Sequence, residues 1–350
     1  MILFCCQTPV TAGLKIENKG KVMLSDDVLL ANTSSYCITE DNKIIVTDSK
    51  INDVKIYNID GHWLKSFGRR GFGPNEFGLI VSCDYSARRL VISDAVQKKI
   101  FVYDRKGEMD FERTKDIRLP SIGTCIQLYD NTVYLANESV SPEGKFFGFS
   151  AVQLNNDKQI IYILPAFVKY GLKSDDEYKK EFLEKREFAL IGAVARFDIA
   201  DNFAYYFWEG DLRILKIDLK TKTYISFGEK TANYSKPKVT QKMIDIFSSG
   251  DMKRYSMEKS KMSYVRGIFV ASKYAIVIYS AEKKNDDEDT PYIAQFYTLK
   301  GQFVEEHRLP GKCSSQFCFD KKSNMLYTTI YTEDENLDSR IAVQKFKIYE

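Results

Sequence analysis

Arg69 and Arg70 are the residues of this chain best suited to grip an anion. They sit in a glycine-rich run, Gly68-Arg69-Arg70-Gly71-Phe72-Gly73-Pro74-Asn75-Glu76-Phe77. A guanidinium presents a planar fork of donors that matches a carboxylate, so this pair could hold a carboxylate or a sugar acid. The glycines themselves do not make a phosphate cradle. A dinucleotide site needs them at a strand-to-helix turn, where the helix N-terminus meets the phosphate. Here Pro74 interrupts, Glu76 would repel an anion, and strand-like sequence follows. The Gly-Lys-Ser/Thr of a P-loop is absent as well. The glycines therefore read as a sharp turn, with Glu76 expected to accept from backbone N–H groups.

A second set of polar residues falls where second strands turn into third strands: Asn52, Asp53, Lys98, Glu138, Trp208, Glu209 and Asp211. An exposed indole beside carboxylates suits stacking on a sugar, and Trp208 beside Glu209 and Asp211 offers one. The competing reading of Trp208 is a core aromatic. Metal chemistry has little to build on, because zinc takes His, Cys or carboxylate ligands and only His62 and His307 exist, on outer strands of different units. No Gly-x-Ser-x-Gly elbow marks a serine nucleophile. The acidic run Asp286-Asp287-Glu288-Asp289 lacks the ligand spacing of a calcium hand and reads as a solvated loop tip.

These residues hang on a repeat. The first unit reads Tyr36 to Ile38, Lys43 to Asp48, Val54 to Gly61 and Trp63 to Phe67, and the pattern recurs about six times. Second strands are expected at 44–48, 90–93, 133–136, 203–208, 275–280 and 325–331. Third strands follow at 54–59, 99–103, 147–154, 212–217, 293–299 and 341–348. Two-residue alternation with apolar groups on both faces implies strands buried between neighbouring sheets. Asp60-Gly61, Lys106-Gly107 and Lys300-Gly301 supply turns. Four cysteines, Cys37, Cys83, Cys125 and Cys318, each precede a strand residue by nine positions (Val46, Ile92, Tyr134 and Tyr327), placing them on the innermost strands. Val194-Ala195 and Arg266-Gly267 are the expected counterparts in the other two units. Free cysteine at such places behaves as a small buried hydrophobe.

A repeated four-stranded unit of this kind is a propeller blade. The fold class expected is all-β: one six-bladed β-propeller over 13–350, with residues 1–12 as a tail or truncated lipoprotein signal. The sixth unit has no fourth strand of its own, and a ring of sheets must close. The strand-like Leu14 to Leu24 is expected to supply the missing strand. Two helical insertions interrupt the repeat, at about 170–190 and 236–262. The first opens on a capping box, Ser174-Asp175-Asp176-Glu177.

Composition limits the partners. The chain has 350 residues, is 44% hydrophobic and 28% charged, and carries a net +3 spread along its length, which offers no basic stripe for nucleic acid. Its 22 Tyr and 23 Phe favour sheet. Met1-Ile2-Leu3-Phe4-Cys5-Cys6 looks like the end of a lipoprotein signal, with Cys6 as the lipidated residue, though its charged start is missing. The seven cysteines, or five without Cys5 and Cys6, argue the other way, since an odd count is awkward in an oxidising compartment. Cys313 and Cys318 would be the pair to join there.

The run Gly68 to Phe77, with Val54-Lys55-Ile56-Tyr57-Asn58-Ile59-Asp60-Gly61 before it, resembles the NHL-type repeat. More closely it is similar to a bacterial six-bladed, NHL-like or TolB-like propeller family, common in Bacteroidetes-type genomes and often lipid-anchored. The resemblance implies an extracytoplasmic propeller and no shared reaction. Lactonase-like propellers use axial carboxylates and Asn for a divalent ion, for which Asp84 and Glu40 are candidates. Lyases of the amidating type use several histidines that this chain lacks. The expected function is non-enzymatic binding at the cell envelope, at the channel mouth, without a cofactor. The partner expected is a protein or a small polar or carbohydrate ligand, with membrane contact through Cys6. A metal-assisted lactonase-like hydrolase is the alternative.

Overall fold

The computed structural model describes residues 14–25, 30–184, 194–228, 231–282, 289–333 and 339–349. Strand β1 (Lys15–Met23) comes first. Blade one is β2 (Thr33–Ile38), β3 (Lys43–Asp48), β4 (Asp53–Asn58) and β5 (Trp63–Phe67). A short parallel bridge, β6 (Arg69–Arg70) with β7 (Glu76–Phe77), leads to blade two: β8 (Ile80–Ser86), β9 (Arg89–Asp94), β10 (Lys99–Arg105) and β11 (Phe111–Arg118). Blade three is β12 (Cys125–Tyr129), β13 (Thr132–Val140), β14 (Phe146–Gln153) and β15 (Asn156–Pro165). After an insertion with α1 (Ala166–Tyr170) and α2 (Asp175–Tyr178) comes blade four: β16 (Ala195–Ala200), β17 (Phe203–Trp208), β18 (Ile214–Asp218) and β19 (Tyr224–Phe227). A second insertion holds α3 (Gln241–Ser248) and α4 (Met252–Ser260). Blade five is β20 (Tyr264–Val270), β21 (Tyr274–Ser280), β22 (Tyr292–Thr298) and β23 (Phe303–Arg308). Blade six is β24 (Phe317–Asp320), β25 (Met325–Glu333), β26 (Ser339–Tyr349) and, as its outer strand, β1.

The protein is thus a six-bladed β-propeller closed by its N-terminal strand, as the missing fourth strand of the last unit required. Lys15 pairs with Tyr349 and Met23 with Ala342, with a bulge between Asn18 and Lys21. The first strands β2, β8, β12, β16, β20 and β24 touch one another in sequence around the axis, and β24 returns to β2. Apolar side chains alternate between two interfaces. Ile45, Val54 and Ile56 face blade two, while Ile44, Val46 and Tyr57 face blade six. This explains strands that are apolar on both sides.

The cysteine spacing needs correction in register. Cys83 and Cys318 do pair with Ile92 and Tyr327, but Cys37 pairs with Ile45 and Cys125 with Ala136. Cys37 stands next to the end of β2 whereas Cys125 opens β12, so their distances from the hairpin turn differ and equal sequence spacing does not mean equal register.

An aspartate closes the second strand of the first two blades, and its use is visible. Asp48 accepts from the backbone N–H of Ala31 (2.5 Å), Asn32 (3.1 Å), Lys50 (2.8 Å) and Ile51 (3.0 Å). Asp94 accepts from Gly78 (2.6 Å), Leu79 (3.2 Å) and Gln97 (2.8 Å). Each carboxylate ties the entry loop of its blade to the turn between second and third strands. In blade five Ser280 does part of this, accepting from Tyr264 N at 3.2 Å.

Because neighbouring strands are antiparallel, every blade-to-blade connection and every second-to-third turn lies on one face, the upper face. Both helical insertions and the Gly68–Gly78 connection are on it. The turns from first to second and third to fourth strands form the lower face. The capping box is present: Ser174 Oγ accepts from Glu177 N at 3.2 Å, and Glu177 Oε2 accepts from Lys173 N at 2.7 Å.

Candidate functional site

The glycine-rich connection is a closed piece of architecture. Glu76 Oε2 accepts from Gly73 N at 2.8 Å, which holds its carboxyl below the usual range. Arg69 adds to that shift by donating to Glu76 Oε1 at 2.8 Å through Nε, with Nη2 at 2.7 Å. Phe77 is buried in the interface of blades one and two, where its ring meets Phe101 edge-on with centroids 5.4 Å apart. A Cβ on Gly68 would stand 2.3 Å from the Phe77 ring, and Gly68 has φ +83, so both space and backbone demand glycine. The connection leaves from the outermost strand β5. Its tip borders an open groove of about 810 Å³ against the outermost strand β11, lined by Phe72, Pro74, Lys99, Arg113 and Asp116 among others. The tip therefore lies at the rim, not the axis, with Arg69 paired to Glu76 and Arg70 exposed.

The other expected site residues separate in the same way. Asn52 is 2% exposed, has φ +62, and accepts from Ile80 N at 3.2 Å, locking blade one to blade two. Asp53 pairs with the buried Lys55, and burial raises its carboxyl pKa against the opposing pull of that lysine. Lys98 is exposed in a turn with φ +51. Trp208 is 3% exposed, beneath the first insertion, with Tyr170 edge-on at 5.1 Å. It is a core aromatic rather than an exposed sugar platform, because the insertion covers it. Glu209 is buried and holds Lys259 (3.5 Å) and Arg266 (3.4 Å). Asp211 pairs with Lys236 at 3.0 Å. The side chain of Glu138 and the residues Asp286 to Glu288 lie outside the described set, as do Cys5 and Cys6.

The axis holds the more concentrated chemistry. Asp198, on β16, is buried and accepts from four directions. Val270 N of blade five donates at 2.7 Å, Gln127 Nε2 of blade three at 2.8 Å, Lys321 Nζ of blade six at 2.8 Å, and its neighbour Ile199 N at 2.8 Å. Lys321 also donates to Ile199 O at 2.8 Å. Asp84, two blades away on β8, makes the same kind of contact to its neighbouring blade, accepting from Leu128 N at 2.7 Å. Burial raises its carboxyl pKa to about 6; the charge of Asp198 adds to the shift, while the bonds from Leu128 and Tyr85 N–H and the charge of Lys321 oppose it. These groups tie blades two to six together near the axis.

Arg196 lies two residues before Asp198 on the same face of β16, roughly 7 Å nearer the upper face. It is half-buried and, among the described residues, has no hydrogen-bond or ion-pair partner. Its charge is felt by Tyr36 and by Cys125, on other blades, so it lies toward the axis. Arg266, on the adjacent β20, is the second inner-strand guanidinium, held by Glu209 and by Ser280 Oγ at 3.4 Å. The sequence had marked Val194-Ala195 and Arg266-Gly267 as small positions of the cysteine ring. The signal that finds Arg196 and Asp198 is the period of two within Arg196-Phe197-Asp198, in which Phe197 faces blade three and its neighbours face the axis.

The described thiols lie in surroundings that disfavour the thiolate. Cys37, Cys83, Cys125, Cys313 and Cys318 are all free, with Cys37 Sγ 4.0 Å from Cys83 Sγ. Burial pushes Cys125 up to about 11 and Cys313 to about 12, far from the thiolate a nucleophile or metal ligand needs. Glu40 is on the lower face, accepting from Ala87 N at 3.1 Å, and so does not join Asp84 on the axis. Among the described residues no three His, Cys, Asp or Glu side chains are grouped to hold a metal ion.

A family model described as 6-bladed beta-propeller matches residues 24–285. No curated protein sequence matches the chain. Among solved structures, a DUF4221-family member from Bacteroides vulgatus is similar over 96% of this chain and 99% of its own, at 11% identity and TM-score 0.65. A candidate exported protein from Bacteroides fragilis is similar over 96% of each chain, at 15% identity and TM-score 0.60. At these identities the likeness concerns the fold.

Proposed function

The chain belongs to the DUF5128 family of 6-bladed beta-propellers, and from that premise we propose that it is a non-enzymatic binding protein whose ligand carries a carboxylate and enters the channel from the insertion-bearing upper face. The observation that carries this reading is Arg196. A half-buried guanidinium without a partner is costly, and a bound anion offsets that cost. A planar fork on a rigid inner strand is suited to bidentate contact with a carboxylate. Arg266 stands on the next blade as a second donor. Arg196 stands nearer the upper face than Asp198, which makes the upper face the way in. A sugar acid or similar small polar anion fits this chemistry. The same contact could be made by an acidic side chain of a protein partner.

The envelope is the proposed location. Support comes from the exported description of the Bacteroides fragilis protein of similar fold and from the lipidation reading of Cys6. A thermal-shift series with glucuronate, galacturonate and inorganic phosphate tests the binding reading. Carboxylated sugars should raise Tm in the wild type and not in Arg196→Gln. Equal shifts in both proteins, or none with any anion, would remove Arg196 as the anchor.

A further inference from the structure

The lower face carries a feature that channel binding does not use. In three blades the turn into the fourth strand delivers an exposed aromatic followed by an exposed aliphatic residue. Trp63-Leu64 opens β5, Tyr224-Ile225 opens β19, and Phe303-Val304 opens β23. In blade six the matching level is Lys15 of β1 paired with the exposed Tyr349. Blades four, five, six and one are consecutive around the ring, so these positions form one arc along the lower rim. Blade two breaks the pattern: its strand opens Phe111-Glu112, with Phe111 turned onto the core.

Lysines accompany each member of the arc. Lys220 and Lys222 precede Tyr224, Lys300 precedes Phe303, and Lys65, which also pairs with Asp110, follows Leu64. Lys15, Lys19 and Lys347 lie 5.8, 5.7 and 6.0 Å from the centre of the Tyr349 ring, and Lys15 and Lys19 share Glu17 as an ion-pair partner. Exposed apolar side chains on outermost strands are ordinarily a liability, because such edges invite other chains. Their recurrence at one level, each beside a cation, is the composition that favours a lipid interface. Aromatic rings sit at headgroup depth and lysines meet anionic phosphates.

We propose that the lower rim of blades four, five, six and one docks on an anionic lipid surface. The channel mouth and both insertions then face away from the bilayer. Leu14 enters the fold on blade six, at the middle of the arc, so an acyl group on the segment before it would reinforce the same orientation.

The chain provides its own probe. Of its 2 tryptophans, Trp208 is buried and Trp63 is on the rim. The full chain carrying Cys6→Ser, which cannot be acylated there, is mixed with phosphatidylglycerol-containing vesicles or with pure phosphatidylcholine vesicles. The expected result is a blue shift of Trp63 emission and co-sedimentation with the anionic vesicles, both reduced by salt. Ile225→Ser with Val304→Ser should weaken partitioning about tenfold at unchanged Tm, since both side chains are exposed and only their burial in lipid is lost. Absence of partitioning into either vesicle overturns the proposal. So does partitioning that the double variant leaves intact, and so does a concentration-dependent dimer that the double variant abolishes without lipid.

Discussion

Arg196 and Asp198 stand two residues apart on one face of one strand, and their surroundings are opposites. Asp198 is satisfied by donors from blades three, four, five and six. Arg196 has no such partner among the described residues. The lower end of the channel is built as a knot that holds the ring in register. The upper end leaves a guanidinium that has no partner among the described residues. A polar group satisfied on every side reports stability, whereas one left short of partners at a cavity reports what the cavity is for.

The sharpest way to break this comparison is to remove both groups in turn. Asp198→Ala strands the Lys321 ammonium and the Val270 N–H. A lost buried pair costs about 3–5 kcal/mol, and because Lys321 is partly exposed about 3 kcal/mol is expected in urea unfolding. Arg196→Gln should leave stability within about 0.5 kcal/mol of the wild type, or raise it. Equal losses would mean that both ends are structural.

Asp84 sharpens the account of the lower end through pH. Its folded pKa is raised to about 6, while the unfolded value is about 3.9. Between those values the folded state keeps a proton that the unfolded chain has released. The stability this gives is full below about pH 4 and is lost as pH rises through about 6. The loss should be about 2 kcal/mol, allowing for residual solvent contact, and Asp84→Asn should flatten it. Urea midpoints at pH 4.5 and 7.5 measure the difference. An unchanged pH slope in the variant would assign the effect elsewhere.

The smallest effect belongs to the residue that the sequence made most prominent. The Arg69 side chain is 79% exposed, so Arg69→Gln should cost about 0.5 kcal/mol or less. A larger loss in thermal unfolding would make the rim connection more than a local turn.

Much of the fold was legible because its causes are local. Strands between blades must be apolar on both faces, turns need residues such as Asp60-Gly61, and a ring of sheets must borrow Leu14 to Leu24 when the last unit runs short. Glu76 was readable for the same reason, since it bonds within its own loop. The site was not legible, because it depends on what lies across the axis or above a residue. Trp208 looked available until the first insertion packed over it. Arg69 looked free until the loop reversed and brought Glu76 beside it. Arg196 and Asp198 needed the register of β16, and the nine-residue spacing that located the cysteines slips in two of four cases. Cys37 and Cys83 on the inner strands were correctly read as small buried groups, Cys125 and Cys318 are half-buried, and that reading drew attention from the arginine beside them.

Calorimetric titration of the wild type, Arg196→Gln and Arg69→Gln with the carboxylated sugar that shifts Tm most tests the central claim directly. A charged hydrogen-bonded contact contributes about 1.5–3 kcal/mol, so Arg196→Gln should weaken binding about 10- to 150-fold while Arg69→Gln binds as the wild type. Loss of affinity in Arg69→Gln with none in Arg196→Gln would contradict the account and move the site from the axis to the rim.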